Sequence, residues 1–276
     1  VGGGRRGGEG GKGGNRGRVP DIRVCTMNIN SCSAHAVKPE GMRRRRRVIR
    51  CITRLLLKRD FLLLQETHYA ALENKDLDQE FPHCVIYRSN LKLGRGGTAI
   101  LIKKKMAQKY TIVEIPLPEA AKGRVLSLSF TPVDTPKDIK ACFNLTSVYF
   151  SSGMKDMKEK EDQIRAMEAL NNGYRNIVGG DFNFVEHEAD STGPMKNCSL
   201  TGTAATTWAE VKESLGLEEV DQEMHTRFQR GRRAASSRLD RFYISRSMAE
   251  KAVRITRAYL LPSGEGGGKS NMGLAD

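Results

Sequence analysis

The stretch from Asn176 to Glu188, "NIVGGDFNFVEHE", determines how the other polar residues of the chain are interpreted. A run of apolar residues ends in two glycines, and Asp181 and Asn183 follow with one phenylalanine between them. Glycine, aspartate and asparagine are typical of the turn after a strand, so this stretch alone indicates a turn as readily as a functional site. The choice depends on whether other strands end in the same way.

Several other predicted strands do end in polar residues. Asn28 lies in "MNIN", Glu66 in "LLLQETH" and Tyr149 in "TSVYFS", while Asp240 lies in "SRLDRFY" and Asp276 in the final "GLAD". Each residue taken singly is typical of a cap or a turn. Together they resemble the oxygen-rich surroundings that Mg²⁺ prefers, in which one or two carboxylates are joined by water and substrate phosphate. We therefore predict a hard-cation site with Glu66 as a metal ligand.

The apolar pattern predicts an α/β domain in which strands outnumber helices. Leu126, Leu128 and Phe130 alternate with Ser127 and Ser129, as expected for a strand with one buried face. Helical spacing is seen in "RRVIRCITRLLLKRD", in residues 154–171 and in "TTWAEVKESLGL". Further strands are predicted at "DIRVCTMNIN", "FLLLQET", "HCVIYRS", "GGTAILI", "KACFNLTSVYF", "SRLDRFYIS" and "AVRITRAYLL".

Composition favours a basic, non-membrane protein. The 276 residues include 46 Lys and Arg against 32 Asp and Glu, a net charge of +14, which favours a polyanionic partner. Residues 1–18 are rich in glycine and carry five basic residues against Glu9, so we interpret them as a flexible basic tail and 19–276 as the domain. No apolar run has the length of a membrane span or a signal segment. The six scattered cysteines predict reduced thiols in the cytosol or nucleus.

Four motifs in order, "MNIN", "LLLQETH", "GGDFN" and "SSRLDRFY", resemble the endonuclease/exonuclease/phosphatase family, which includes DNase I and the abasic-site endonucleases. The resemblance covers nearly all of residues 21–276. "QETH" and the arginine-rich segment before "SSRLDRFYIS" are most similar to the endonuclease domain of non-LTR (LINE-type) retrotransposon polyproteins. This resemblance implies a DNase I-like α/β fold, a four-layered sandwich of two packed, mainly antiparallel β-sheets flanked by helices. It also implies Mg²⁺, or alternatively Mn²⁺, as cofactor and double-stranded DNA as partner.

The resemblance also implies roles for the strand-end residues. Glu66 would hold the metal with Asn28 beside it, and Asp181 would orient or deprotonate the attacking water. Asn183 and Tyr149 would donate hydrogen bonds to phosphate oxygens, and Asp240 would line the same site. Phosphodiester hydrolysis requires such an activated water together with charge neutralisation on the phosphate.

Asp276 matches the family's aspartate that orients a catalytic histidine directly after it, and the given sequence ends at Asp276. None of the five histidines present is assigned that role. We therefore expect this 276-residue chain to bind DNA and metal but to nick poorly, and we expect the natural polypeptide to continue into a reverse-transcriptase region.

Two arginine-rich stretches are candidate nucleic-acid contacts. Residues 225–238, "HTRFQRGRRAASSR", predict a hairpin with a cationic tip suited to a DNA groove. The run Arg43 to Arg47 predicts a nuclear localisation signal, a phosphate-contacting patch or a solvated helix entry, and is expected to begin just outside the helix because positive charges oppose the helix amino end. The predicted DNA contacts are Thr226, Arg227, Arg230, Arg232, Arg233, Ser237 and Arg238.

Three functions fit the sequence. The first, which we favour, is a metal-dependent nuclear endonuclease that nicks target DNA and leaves a 3′ hydroxyl to prime reverse transcription. The second is a phosphatase on inositol phosphates or lipids, although "SRLDR" replaces the tryptophan-cysteine-aspartate-arginine stretch expected of inositol phosphatases. The third is a nucleic-acid-binding domain without catalysis, because the terminal histidine is absent from the sequence.

Overall fold

The computed structural model of the protein contains two β-sheets that pack face to face. One sheet has four strands and the other six, and a separate two-stranded hairpin lies outside both. Among the described residues, no helix combines the length and apolar character needed to cross a membrane. The described residues are 22–29, 39–68, 74–91, 96–152, 157–192, 199–222, 225–229 and 235–249.

The four-stranded sheet has the order β1-β2-β4-β3. Its first two strands are parallel and pair Asn28 with Gln65, so both strands end at the same edge of the sheet. A parallel pair needs a crossover, which helix α1 supplies. The elements are β1 (Val24–Asn28), α1 (Pro39–Lys58), β2 (Phe61–Gln65), α2 (Asn74–Glu80), β3 (Cys84–Ser89) and β4 (Thr98–Lys103).

The six-stranded sheet has the order β5-β6-β7-β8-β12-β9 and also contains one parallel pair, β7 with β8. Its crossover is α4, which continues into a short 3-10 helix. The elements are α3 (Lys104–Ala107), β5 (Tyr110–Glu114), β6 (Val125–Pro132), β7 (Phe143–Tyr149), α4 (Met157–Arg165), β8 (Arg175–Asp181), α5 (Gly202–Ser214), β9 (Leu217–Glu219), the hairpin strands β10 (Arg227–Gln229) and β11 (Ala235–Ser237), β12 (Asp240–Ser245) and α6 (Arg246–Ala249).

Aromatic and branched side chains fill the space between the sheets. Phe130 and Phe143 stack with ring centroids 4.7 Å apart, and Phe61 meets Phe130 edge to face at 5.4 Å. Helices α1 and α2 cover the outer face of the smaller sheet, while α4 and α5 cover that of the larger one. The four layers confirm the predicted α/β sandwich and bring the polar ends of both sheets together at one edge.

The arginine run lies inside helix α1, so the prediction that it begins just outside the helix was wrong. Arg43 is the fifth residue of a helix that starts at Pro39, and the unfavourable field of the helix amino end is largely confined to the first turn. Burial of Val48, Ile52 and Leu56 against the sheet stabilises the helix farther along. Apolar burial therefore determines where this helix lies.

Both faces of β6 are buried along its first half, and the prediction of one buried face was therefore wrong there. Ser127 is fully buried and shares a 2.8 Å hydrogen bond with the Thr146 hydroxyl. A hydrogen bond between two hydroxyl groups allows the serine side of the strand to be buried. The predicted strand "AVRITRAYLL" and the tail 1–18 lie outside the described residues.

Candidate active site

Three of the predicted catalytic residues stand in one row at the edge of the larger sheet. Tyr149 at the end of β7 pairs with Asp181 at the end of β8, and Asp181 pairs with Asp240 at the start of β12. Directly paired residues project to the same face of a sheet. The strand register therefore brings together three residues that are far apart in the sequence.

An asparagine of the smaller sheet joins this row. The Asn28 Nδ2 donates to Glu66 Oε1 at 2.8 Å and to Asp181 Oδ2 at 2.9 Å. Glu66 follows β2, whereas Asp181 ends β8 in the facing sheet. One amide nitrogen thus donates to two carboxylates that come from different sheets.

The two glycines before Asp181 are required by close packing. Gly180 has φ 146°, and a Cβ there would overlap the Val148 carbonyl of the neighbouring strand. A Cβ at Gly179 would overlap the Phe242 ring. The glycines therefore let β8 pack tightly enough to present Asp181 at the junction of the sheets.

Three non-glycine residues at this edge have left-handed backbone conformations. They are Glu66, His68 and Asn183, with φ of 54°, 57° and 51°. Such conformations cost on the order of 1–3 kcal/mol each and persist where surrounding contacts fix them. The Asn183 N–H donates to Asp181 Oδ1 at 2.9 Å, and the His68 N–H donates to the Gly96 carbonyl at 3.0 Å. Strain collected around the carboxylates supports a functional site.

Tyr149 lies against Glu66 and is held as a hydrogen-bond donor. Burial raises the pKa of the Tyr149 phenol, and the negative charges of Glu66 and Asp181 raise this pKa further. The guanidinium of Arg124 lies 5.0 Å from the centre of the tyrosine ring and acts in the opposite direction. The phenol keeps its proton and makes a hydrogen bond with Glu66.

Asp240 completes a crowded group of carboxylates. Burial, followed by the charges of Asp181 and Glu66, raises the pKa of Asp240 to about 7, while a hydrogen bond with Thr226 opposes this change. A bound divalent cation would reduce the electrostatic repulsion between these carboxylates and favour their ionised forms. The oxygen donors of this group suit a hard metal ion.

The described residues include no group of three or more His, Cys, Asp or Glu arranged as a complete metal cage. Mg²⁺ does not need such a cage, because it retains several waters and takes one or two carboxylates. Asn28 turns its amide nitrogen towards the carboxylates, so in this arrangement it holds the acidic group together.

Asn183 is fixed immediately beside Asp181. Its side-chain amide donates one hydrogen to the Phe150 carbonyl at 2.9 Å, and its backbone carbonyl accepts a hydrogen bond from Lys160 Nζ at 2.9 Å. The loop after β8 is therefore tied both to the end of β7 and to helix α4.

Arg124 and His68 were not predicted as site residues. Arg124 is only 5% exposed, and its Nε has no hydrogen-bond partner among the described residues. His68 Nε2 lies 3.6 Å from Glu66 Oε2. The sequence signal for Arg124 was a single basic residue directly before an apolar strand, which is too common to identify a site.

Three of the predicted DNA contacts are largely buried at the base of the hairpin. Thr226 is buried, and its Oγ1 accepts hydrogen bonds from the N–H groups of Leu239 and Asp240, each at 3.1 Å. Ser237 is fully buried. The Arg238 guanidinium pairs with Asp190 at 2.6 Å. The contacts of Thr226 and Arg238 stabilise the base of the hairpin beside Asp240.

A buried ion network anchors this hairpin base. Fully buried Arg241 contacts Asp190 Oδ2 at 2.7 Å, and Arg238 also contacts Glu219 at 3.2 Å. Burial alone would raise the pKa of Asp190, but the His187 N–H and the two guanidinium groups outweigh it and lower this pKa. Asp276, Arg230, Arg232, Arg233 and the side chain of Arg227 lie outside the described part of the chain.

The comparisons with known proteins agree with this architecture. Residues 25–263 match the model of the Endonuclease/Exonuclease/phosphatase family. No curated protein sequence matches the chain significantly.

Three solved structures illustrate the likeness in fold. The AP endonuclease LMAP from Leishmania major has 17% identity and a TM-score of 0.60, with 83% of this chain and 80% of that chain covered. The endonuclease domain of TRAS1, a telomere-specific non-LTR retrotransposon, has 16% identity and a TM-score of 0.54, with 83% and 88% covered. An AP endonuclease from Archaeoglobus fulgidus has 16% identity and a TM-score of 0.58, with 83% and 89% covered. The family match spans most of the sequence, and this chain therefore belongs to the endonuclease/exonuclease/phosphatase family.

Proposed function

We propose that this protein is a metal-dependent DNA endonuclease that hydrolyses a phosphodiester bond. The observation that carries the proposal is the arrangement around Asn28, whose amide holds Glu66 and Asp181 together while Tyr149 and Asp240 stand beside them. The arrangement offers a general base, hydrogen-bond donors and a concentration of carboxylate oxygens at one sheet edge. Those are the groups that hydrolysis of a phosphate ester requires.

Glu66, with Asn28 beside it, would hold the cofactor, which we propose to be Mg²⁺ with Mn²⁺ as an alternative. The bound ion would neutralise charge on the phosphate and polarise its P–O bonds. The crowding that raises the pKa of Asp240 supports this assignment, because a cation offsets the repulsion among the acidic groups.

Asp181 is the residue best placed to accept the proton of the attacking water. Both of its carboxylate oxygens are oriented by hydrogen bonds, Oδ2 by the Asn28 amide and Oδ1 by the Asn183 N–H. A general base needs such fixed orientation, since proton transfer requires the water to lie within hydrogen-bond reach. Asp181 is nearly buried, with 7% of its surface exposed, so few solvent molecules compete for it.

Donors on the other side of the row would receive the phosphate oxygens. Tyr149 keeps its phenolic proton, and the Arg124 guanidinium lies over the tyrosine ring with its Nε unpaired among the described residues. Asn183 contributes an amide in the same region. Pre-organised donors of this kind stabilise the charge that develops in the transition state.

The substrate we propose is double-stranded DNA, supported by the net charge of +14 and by the structural neighbours, which include two AP endonucleases. We further propose a LINE-type role, in which the nick leaves a 3′ hydroxyl in nuclear DNA and a reverse-transcriptase region follows in the natural polyprotein. The sequence motifs and the similarity to the TRAS1 domain support this finer assignment.

Plasmid relaxation tests the proposed reaction. The protein should convert supercoiled plasmid to the nicked form with Mg²⁺, at the low rate expected above for this chain, and should not do so with a chelator. A parallel assay for phosphate release from inositol phosphates should remain at background. Phosphate release without nicking would instead assign the site to a phosphatase, and metal-independent nicking would refute the cofactor.

A further inference from the structure

Helix α1 displays a line of arginines that the proposed nicking site does not use. Its solvent-facing side exposes residues spaced three or four apart, which places them along one side of the helix. We call this set the arginine stripe. Its members are Arg43, Arg46, Arg47, Arg50 and Arg54.

The stripe lacks acidic partners within the described structure. None of its five members makes an ion pair with a described residue, whereas Arg45 at its border pairs with Glu80 at 3.1 Å. Like charges at this spacing destabilise a helix by a few tenths of a kcal/mol for each pair. Folding alone therefore gives no reason for the stripe, and its charge complements a polyanion.

The position of the stripe separates it from the catalytic edge. Because α1 connects the parallel strands β1 and β2, it returns the chain from the edge beside Asn28 to the opposite edge, where Phe61 begins β2. A helix of 20 residues is about 30 Å long at about 1.5 Å per residue. The stripe thus runs away from the catalytic site along the outer flank of the smaller sheet.

Two exposed apolar side chains adjoin the arginine stripe, Leu57 within its side of the helix and Met42 at its border. Met42 is 51% exposed and precedes Arg46 by one turn, and Leu57 is 75% exposed and follows Arg54 by three residues. Guanidinium groups suit phosphate, while apolar side chains suit the faces of unpaired bases. A duplex keeps its bases stacked inside and offers no such faces.

The remaining side of α1 argues against a membrane. Val48, Ile52 and Leu56 are buried in the core against the smaller sheet. An interfacial membrane helix must insert its apolar face into the lipid, and here that face is already occupied.

We propose that the arginine stripe binds a single-stranded nucleic acid, with the arginines on its phosphates and Met42 and Leu57 against its bases. The stripe and the catalytic site would then be two separate nucleic-acid surfaces. The proposal does not depend on the nicking reaction, because it rests on the exposed residues of α1 alone.

A charge-matched pair of variants tests the stripe. Binding of a labelled single-stranded oligonucleotide of about 20 nucleotides, longer than the roughly 4–16 nucleotides of a typical single-strand site, is measured with a chelator present. The triple variant Arg46→Gln, Arg50→Gln and Arg54→Gln should bind about 10- to 100-fold more weakly at about 0.1 M salt, and its salt slope should fall by about 2. The control triple variant Lys104→Gln, Lys105→Gln and Lys109→Gln removes the same charge elsewhere and should stay within about threefold of wild type.

Leu57→Ser separates base contact from phosphate contact. It should weaken binding of the oligonucleotide severalfold and leave binding of inorganic polyphosphate unchanged. Equal losses in the two triple variants, or no loss in the stripe variant, would overturn the proposal. A larger loss for duplex DNA than for the single strand would also overturn it, since the partner would then be a duplex. Circular dichroism and thermal unfolding establish that each variant is folded.

Discussion

Glu66 and Asp181 accept hydrogen bonds from the same amide nitrogen, that of Asn28, at 2.8 and 2.9 Å, although they belong to different sheets. The acidic centre is therefore built across the interface between the two sheets. Packing between the sheets and the geometry of the site depend on each other, because neither sheet alone supplies both carboxylates.

Replacing Asn28 with alanine should abolish most nicking while the domain stays folded. The two carboxylates would lose their shared donor, and removal of one oriented donor commonly costs on the order of 10²- to 10³-fold in rate. Plasmid relaxation in Mg²⁺ measures the effect, with exposed Asn171→Ala as a matched control. If the nicking rate of Asn28→Ala falls by no more than about threefold relative to the control, the shared amide is not needed, because loss of an oriented donor should lower the rate far more.

Tyr149→Phe should slow nicking by about 10- to 100-fold, because it removes a hydrogen-bond donor beside Glu66 and the proposed phosphate position. Buried Tyr110→Phe provides the control, since it removes a phenol from the core on the β5 side. If the two variants nick equally fast, the phenol of Tyr149 has no part in the reaction.

The raised pKa of Asp240 should make the stability of the metal-free protein depend on pH. Its folded-state pKa of about 7 lies above the ordinary aspartate value of about 3.9, so the folded state binds more protons than the unfolded state between these values. The contribution of Asp240 to the free energy of unfolding is therefore favourable at low pH and is lost as pH rises towards 7. The groups facing it are Asp181, Glu66 and Thr226.

Melting temperatures in chelator at pH 5 and pH 8 measure this effect. The wild type should lose stability between the two, and Asp240→Asn should lose less, because the amide carries no charge at either pH. The same decline in both proteins would place the titrating group elsewhere.

The hairpin should separate into a DNA-contacting tip and a structural base. Neutralising Arg230, Arg232 and Arg233 should change the distribution of cuts or the affinity for DNA and should flatten the salt dependence by up to about 2.7 in slope, because about 0.9 counterion is released for each phosphate contact. Arg238→Gln should instead lower the melting temperature, since it removes one of the two arginine partners of Asp190 and of Glu219 from a largely buried network.

The proposed division between DNA-contacting arginines and a structural Arg238 is wrong if both sets of variants have the same effect. If the triple variant keeps the wild-type distribution of cuts and the wild-type salt slope, these three arginines do not contact DNA. Full stability of Arg238→Gln would show that the base does not depend on this ion pair.

Where a short polar motif follows an apolar run, the sequence alone predicted that the polar side chains lie at a sheet edge. Glu66 and Asp181 were identifiable because a carboxylate directly after a buried strand is conspicuous and its side chain must lie at the sheet edge. Strand and helix periodicities are local and predicted a strand-rich α/β domain, whereas its four layers were predicted only through the resemblance carried by the ordered family motifs. Confirmation of the fold came from the register of the strands and from the family match.

Other features required the tertiary structure. Ser127 and Thr226 are polar residues whose burial depends on partners distant in sequence, Thr146 and the N–H of Asp240. Arg124 is close to Tyr149 only because β6 and β7 are adjacent in the larger sheet. Contacts between side chains that meet only in the folded structure produce no local pattern in the sequence.

The most direct test of the central claim is the rate of Mg²⁺-dependent nicking by Glu66→Gln and Asp181→Asn, measured beside wild type and the exposed control Glu213→Gln. Each substitution at the site removes one negative charge from the proposed reaction centre and keeps the shape of the side chain. We expect both site variants to be folded and to lose nicking, while the control nicks like wild type. Nicking by Glu66→Gln or Asp181→Asn at the wild-type rate would contradict the assignment of this site.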